Sequence, residues 1–175
     1  APAVNILAET EKDNGGVYFV PAFTGLGSPH WDMDARGTII GITRGTSRGH
    51  IARAALEAIA YQVNDVIGAI KNETSFEIPV LRVDGGASAS EITMQFQADI
   101  LETTIERCAI TETTALGAGY LAGLSIGFWD SVDDIQSTWR SGRVFYPSMD
   151  PSSRRKYCSE WTRAVNRSKR WKTKN

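Results

Sequence analysis

From Ile39 to Ile126 the hydrophobic period switches back and forth between that of a strand and that of a helix. Thr38 to Ile42 is a short apolar run that reads as a strand. Thr46 or Ser47 then suits the N-cap of a long helix. Behind it Ile51, Ala55, Ile59, Val63, Val66 and Ile70 recur at steps of three and four and make one apolar stripe. "IPVLRV" is the next strand, Ser90 to Leu101 the next helix, and "TTIERCAI" a strand again. "TTALGAGYLAGLSIGFW" is helical, rich in small residues and apolar nearly all round, which predicts burial between neighbours. Such alternation folds as α/β layers with partly parallel strands, because parallel neighbours need a long crossover and a helix usually supplies it.

The flanks extend this pattern. Val17 to Val20 is a short strand stopped by Pro21. Ser131 with Asp134 caps a short helix, and "GRVFYP" is extended. Asp150, with Pro151 at the first helical position, opens a terminal amphipathic helix over about residues 151–172. Tyr157, Trp161 and either Ala164 or Val165 form its apolar stripe. Residues 151–175 hold nine Lys or Arg against one Glu, on a body with nineteen Asp or Glu against ten Lys or Arg. The basic residues fill the polar face of that helix, and Tyr157 and Trp161 belong to its apolar stripe instead of standing among the charges to stack on bases. This is a solvated face, and no nucleic acid is expected as a partner.

With 175 residues, 42% of them hydrophobic and a net charge of −1, the chain suits one globular domain or a large part of one. No run approaches the ~20 apolar residues of a membrane span. The N-terminal stretch lacks a basic segment followed by an apolar one, so no signal peptide is expected. Cys108 and Cys158 lie far apart and read as reduced thiols of a cytoplasmic protein. His30 and His50, the only histidines, have no metal-binding spacing, and no metal site is expected.

"LRVDGGASASEITMQF" (residues 81–96) joins a strand to a helix through Gly85 and Gly86. Without Cβ atoms the backbone can bend sharply there or approach a flat ligand closely. Ser88 with Glu91 makes a capping box for the helix, whose first N–H groups favour an anionic or polar ligand. Asp84, at the end of the strand, is the best placed of the loop carboxylates, but no base or nucleophile accompanies it. The residues alone leave open whether this is a plain turn or a binding surface.

Longer motifs narrow the choice. "GGVYFVPAFTGLGSPHWDMDARG" resembles the glycerol kinases of the FGGY group of carbohydrate kinases. "GTIIGITRGTSRGHIARAALE" is similar to the second signature of that group, with Gly37, Gly41, His50 and Ala54-Ala55-Leu56-Glu57. "LRVDGGAS" resembles the adenosine motif of actin-like kinases, and "ALGAG" their second connecting motif. Relatives acting on xylulose or gluconate usually carry a "PYLxGERxP" segment where this chain has "PAFTGLGSPHW". They are the alternative, as is a non-catalytic binding or assembly module.

The resemblance implies an incomplete actin-like (ribonuclease H-like) ATPase fold, with residues 1–175 as the C-terminal part of the C-terminal domain. It implies an enzyme that transfers a phosphoryl group from Mg²⁺·ATP to glycerol, in the cytoplasm, as a dimer or tetramer. It places Gly85, Gly86 and Ser90 on the nucleotide; many relatives have Asn where Ser90 stands. The glycerol site, the catalytic Asp and most phosphate-binding turns of those enzymes match no segment of this sequence. No catalytic, glycerol-binding or metal-binding residue is therefore expected in this chain, and alone it is expected to be inactive.

Overall fold

A computed structural model of the protein describes residues 2–110 and 113–172. The chain opens with α1 (Pro2–Glu9), then β1 (Tyr18–Val20) and β2 (Thr38–Ile40), which form an antiparallel hairpin with Phe19 opposite Ile39. The helix α2 (Arg48–Thr74) follows, then β3 (Val80–Val83), a 3₁₀ turn (Gly86–Ala89), α3 (Glu91–Leu101) and β4 (Thr104–Cys108). The rest is α4 (Thr113–Ser125), α5 (Val132–Ser137), β5 (Ser141–Phe145) and α6 (Pro151–Ser168). A three-stranded sheet runs β3-β4-β5, with β3 parallel to β4 and β5 antiparallel to it. The expected alternation and partly parallel pairing are both present.

The helix starts follow from side-chain chemistry. Ser47 caps α2: its hydroxyl accepts from His50 N–H, and His50 Nδ1 accepts from Ser47 N–H at 3.0 Å. Asp150 Oδ1 accepts from Ser152 and Ser153 N–H at 3.0 Å each, and Pro151 follows with no N–H to leave unpaired. Ser131 caps α5 by accepting from Asp134 N–H. At the glycine turn the structure corrects the sequence reading. Ser90, not Ser88, caps α3, because the 3₁₀ turn occupies the intervening residues and Ser88 Oγ turns back to donate to Gly85 C=O.

The main core lies where α2, α3 and α6 meet the β1–β2 hairpin. The Tyr61 ring stacks on Trp161 at 4.9 Å and 5°, with Phe96 edge-on to Tyr61 at 5.2 Å. Val20, Ala58, Ile100, Ala164 and Val165 close around them. A second cluster, Met94, Ala98, Leu101, Ile105 and Phe145, seals α3 against the sheet. Cys108 and Cys158 are both free thiols.

Two burial expectations and one helix boundary are corrected. The innermost face of α2 is Ala54, Glu57, Ala58 and Tyr61, whereas Ile59, Val66 and Ile70 of the expected stripe are 37–39% exposed. Small alanines let neighbouring elements come close and leave the larger aliphatic residues at the flank. Within α4 only Gly123 is buried, against the Trp129 ring, and Leu121 is 71% exposed; Leu116, Gly117, Tyr120 and Leu124 are half-buried, with Tyr120 against Trp129. Finally, α6 stops at Ser168, with Lys169 extended, short of residue 172. Its Trp161, Ala164 and Val165 face inward as expected, and Arg155, Lys156, Arg163 and Arg167 lie in solvent.

Candidate nucleotide-binding turn

Strand β3 delivers the chain to Asp84 at the C-terminal edge of the sheet, where α/β folds place ligand clefts. Gly85 adopts φ +79° and ψ 175°, a conformation that a side chain disfavours, so the fold itself requires a glycine there. Gly86 differs. Its φ is not positive, it is exposed, and a Cβ built on it would meet no atom within 4 Å. Neither backbone strain nor crowding within this chain explains the missing side chain at Gly86.

The inner side of the turn is tightly tied. Ser88 N–H and Oγ–H both donate to Gly85 C=O, at 3.1 and 2.7 Å. Ser90 is buried, donates to Asn5 Oδ1 of α1 at 2.6 Å, and accepts from Thr93 N–H and Oγ–H. Its one donor and both lone pairs are thereby engaged. The structure thus brings Gly85 and Gly86 to one open surface and turns the Ser90 hydroxyl inward as a cap. Two supports went unread in the sequence, Asn5 on α1 and Arg107 on β4, since each reaches the turn from an element distant in the chain.

Residues of the long "GTIIGITRGTSRGHIARAALE" motif serve the architecture instead. Glu57 is buried, accepting from Asn14 Nδ2 at 2.9 Å and from Arg53 Nε at 3.0 Å. Arg53 also donates to Glu11 C=O, and His50 Nε2 lies 3.3 Å from Glu11 Oε2. Together they strap the segment before β1 onto α2. Burial pushes the Glu57 carboxyl up to about 7, against the lowering effect of Arg53 and Asn14. A cleft of about 390 Å³ opens beside Glu57 and Arg53 and reaches Glu91 and Ile92 at the start of α3. Among the described residues no group of three His, Cys, Asp or Glu could hold a metal ion.

Residues 3–126 match the FGGY family of carbohydrate kinases, C-terminal domain. The chain belongs to that family. Glycerol kinases of Borreliella afzelii and Pseudothermotoga lettingae are each 57% identical to it, over 94% of this chain and 33% of theirs. This FGGY-family chain therefore spans about a third of the length of these curated relatives. Among solved structures, Plasmodium falciparum glycerol kinase with ADP superposes with a TM-score of 0.83 at 43% identity, over 95% of this chain and 33% of that one. Gluconate kinase from Lactobacillus acidophilus reaches 0.74 at 23% identity, over 94% of this chain and 33% of that one, which speaks to fold alone. The fold is the actin-like α/β architecture of these kinases.

Proposed function

We propose that this chain is the C-terminal segment of an ATP-dependent glycerol kinase, in which Gly85 and Gly86 form one wall of the adenosine site. The observation that carries the site is Gly86, exposed and side-chain-free with nothing in the fold to require it. A nucleoside lying across that open backbone needs the missing Cβ. Ser90 acts beneath it, holding the turn and the first N–H groups of α3 through its bonds to Asn5 and Thr93. Substrate choice follows the glycerol kinase relatives at 57% identity in preference to the gluconate and xylulose kinases at 22–24%.

The reaction moves the terminal phosphoryl group of ATP to a glycerol hydroxyl and leaves ADP. This chain's part is to hold the nucleoside, so that binding energy there fixes the phosphates in line with the hydroxyl. Mg²⁺ supplies charge neutralisation at the phosphates. No helix among the described residues is long and apolar enough to cross a membrane. By resemblance to the glycerol kinases, the complete enzyme is proposed to act in the cytoplasm as a homo-oligomer.

The test is kinetic. The full-length kinase should phosphorylate glycerol and leave xylulose and gluconate almost untouched. Gly86→Val should raise the KM for ATP by about tenfold or more, with the KM for glycerol changed less than about twofold, since a β-branched side chain would occupy the space of the nucleoside. Equal rises in both constants would overturn the placement of the nucleoside.

A further inference from the structure

We infer that Arg107 is a positioning residue for the nucleotide: its guanidinium fork sets the glycine turn rigidly against α3. This rests on the reading of Gly85 and Gly86 as the adenosine wall. In the parallel pair β3–β4, Arg107 is the partner of Val83, two residues before Gly85. From there Nη1 donates to Ser88 C=O at 3.0 Å, in the middle of the 3₁₀ turn. Nη2 lies 3.0 Å from Glu91 Oε1, on the first residue of α3. One planar group thus spans the turn and the helix start and fixes the distance between them, as a two-armed guanidinium can and an ammonium cannot. The Arg107 side chain is only 19% exposed, so its bond to Ser88 C=O sits in a partly dry environment where it is strong, while the ion pair to the 44% exposed Glu91 is screened and weaker.

Its neighbours show that this placement carries an electrostatic cost. Arg107 stands directly opposite Arg143 across the antiparallel pair β4–β5, and like charges facing each other there are destabilising. Glu91 offsets this by dividing its carboxylate, with Oε1 to Arg107 and Oε2 at 2.7 Å from Arg143 Nη1. Both contacts of Glu91 are ion pairs without hydrogen-bond geometry, whereas the bond from Arg107 to Ser88 C=O is a true hydrogen bond. The Phe145 ring lies under both cations, at 5.6 and 5.1 Å. An apolar residue at 107 would avoid the repulsion, but it would leave Ser88 C=O without its donor and the turn without its brace. A loosened turn leaves Gly86 exposed and yet no longer preset, so nucleotide binding must bear the ordering entropy.

The experiment measures ADP affinity by calorimetry and the two KM values in full-length enzyme carrying Arg107→Met, Arg107→Lys, Glu91→Gln or Gly86→Val. Arg107→Met should weaken ADP binding and raise the KM for ATP by about tenfold, with the KM for glycerol within about twofold of wild type. Arg107→Lys should fall between, because it restores the charge without the fork. Glu91→Gln, which keeps Arg107 and its bond to Ser88, should weaken ADP less than Arg107→Met does. A purely structural Arg107 would lower Tm and the active fraction while ADP affinity of the folded enzyme stayed within about twofold. That result, or equal weakening toward ADP and glycerol, overturns the proposal. Should Arg107→Met fail to fold, Arg107→Lys and Glu91→Gln decide the matter by the same readouts. If Gly86→Val leaves ADP binding intact, the adenosine wall itself is misplaced. If Gly86→Val weakens ADP and the Arg107 variants do not, only the positioning role fails.

Discussion

Glu57 shows how one residue can serve a fold at an energetic cost. Its carboxylate ties α2 to the segment before β1, yet burial raises its pKa from 4.5 to about 7. The folded state then holds a proton that the unfolded state has released. Stability contributed by this group is complete below about pH 4.5 and declines as pH rises through about 7, by up to about 3 kcal/mol. Urea titrations from pH 5 to 8 should show that decline in the wild type. Glu57→Gln, which does not titrate, should flatten it by half or more, and an unchanged slope would show that another group titrates. The sequence displayed Glu57 within a motif but could not reveal its burial, since Asn14 lies 43 positions away.

At the scale of elements, α6 is held through Trp161. Its ring stacks on Tyr61, and Nε1–H donates to Asp65 Oδ2 at 2.8 Å, an oxygen that also faces His30 Nε2 at 3.0 Å. Trp161→Ala should lower unfolding stability by about 3–5 kcal/mol, because it opens a cavity at the centre of the main core. Trp161→Phe retains most of the ring packing and leaves Asp65 with one partner, for a loss of about 1–2 kcal/mol. Denaturant midpoints of the two variants check the order and the gap. The inward stripe of α6 was legible in sequence because a single solvated face leaves only one apolar alternative. Helix α2 has alanines on one strip and large aliphatics on the next, and periodicity alone could not tell which strip lies innermost.

For the whole molecule, the described residues leave Leu121, Ile126 and Phe128 around α4 exposed, and Ile59, Val66 and Ile70 along α2 partly so. Strand β3 is also an outer strand of its sheet. Exposed apolar surface on this scale favours association. The isolated 175-residue chain should bind the dye ANS and self-associate more per mole than full-length kinase does, as read by fluorescence and light scattering. It should also produce no glycerol-dependent ADP, since only one wall of the site is proposed to lie in it. Turnover above background by the purified chain would refute that division of labour.

The sequence by itself determined the α/β alternation, the caps at Ser131 and Asp150, that of α2 to within Thr46 or Ser47, and the glycine pair at the end of β3. These are local matters: period, capping chemistry and backbone freedom act within a few residues. Its motifs also carried the family. Only the tertiary structure decided which glycine is required by backbone conformation and which lies open, and that the Ser90 hydroxyl turns toward Asn5. It alone set Arg107 beneath the turn, where Nη1 meets Ser88 C=O 19 positions away, and left the apolar helix α4 largely uncovered. Those outcomes depend on pairings between distant segments, where β3 meets β4 and α1 meets α3, and no local period encodes the partner.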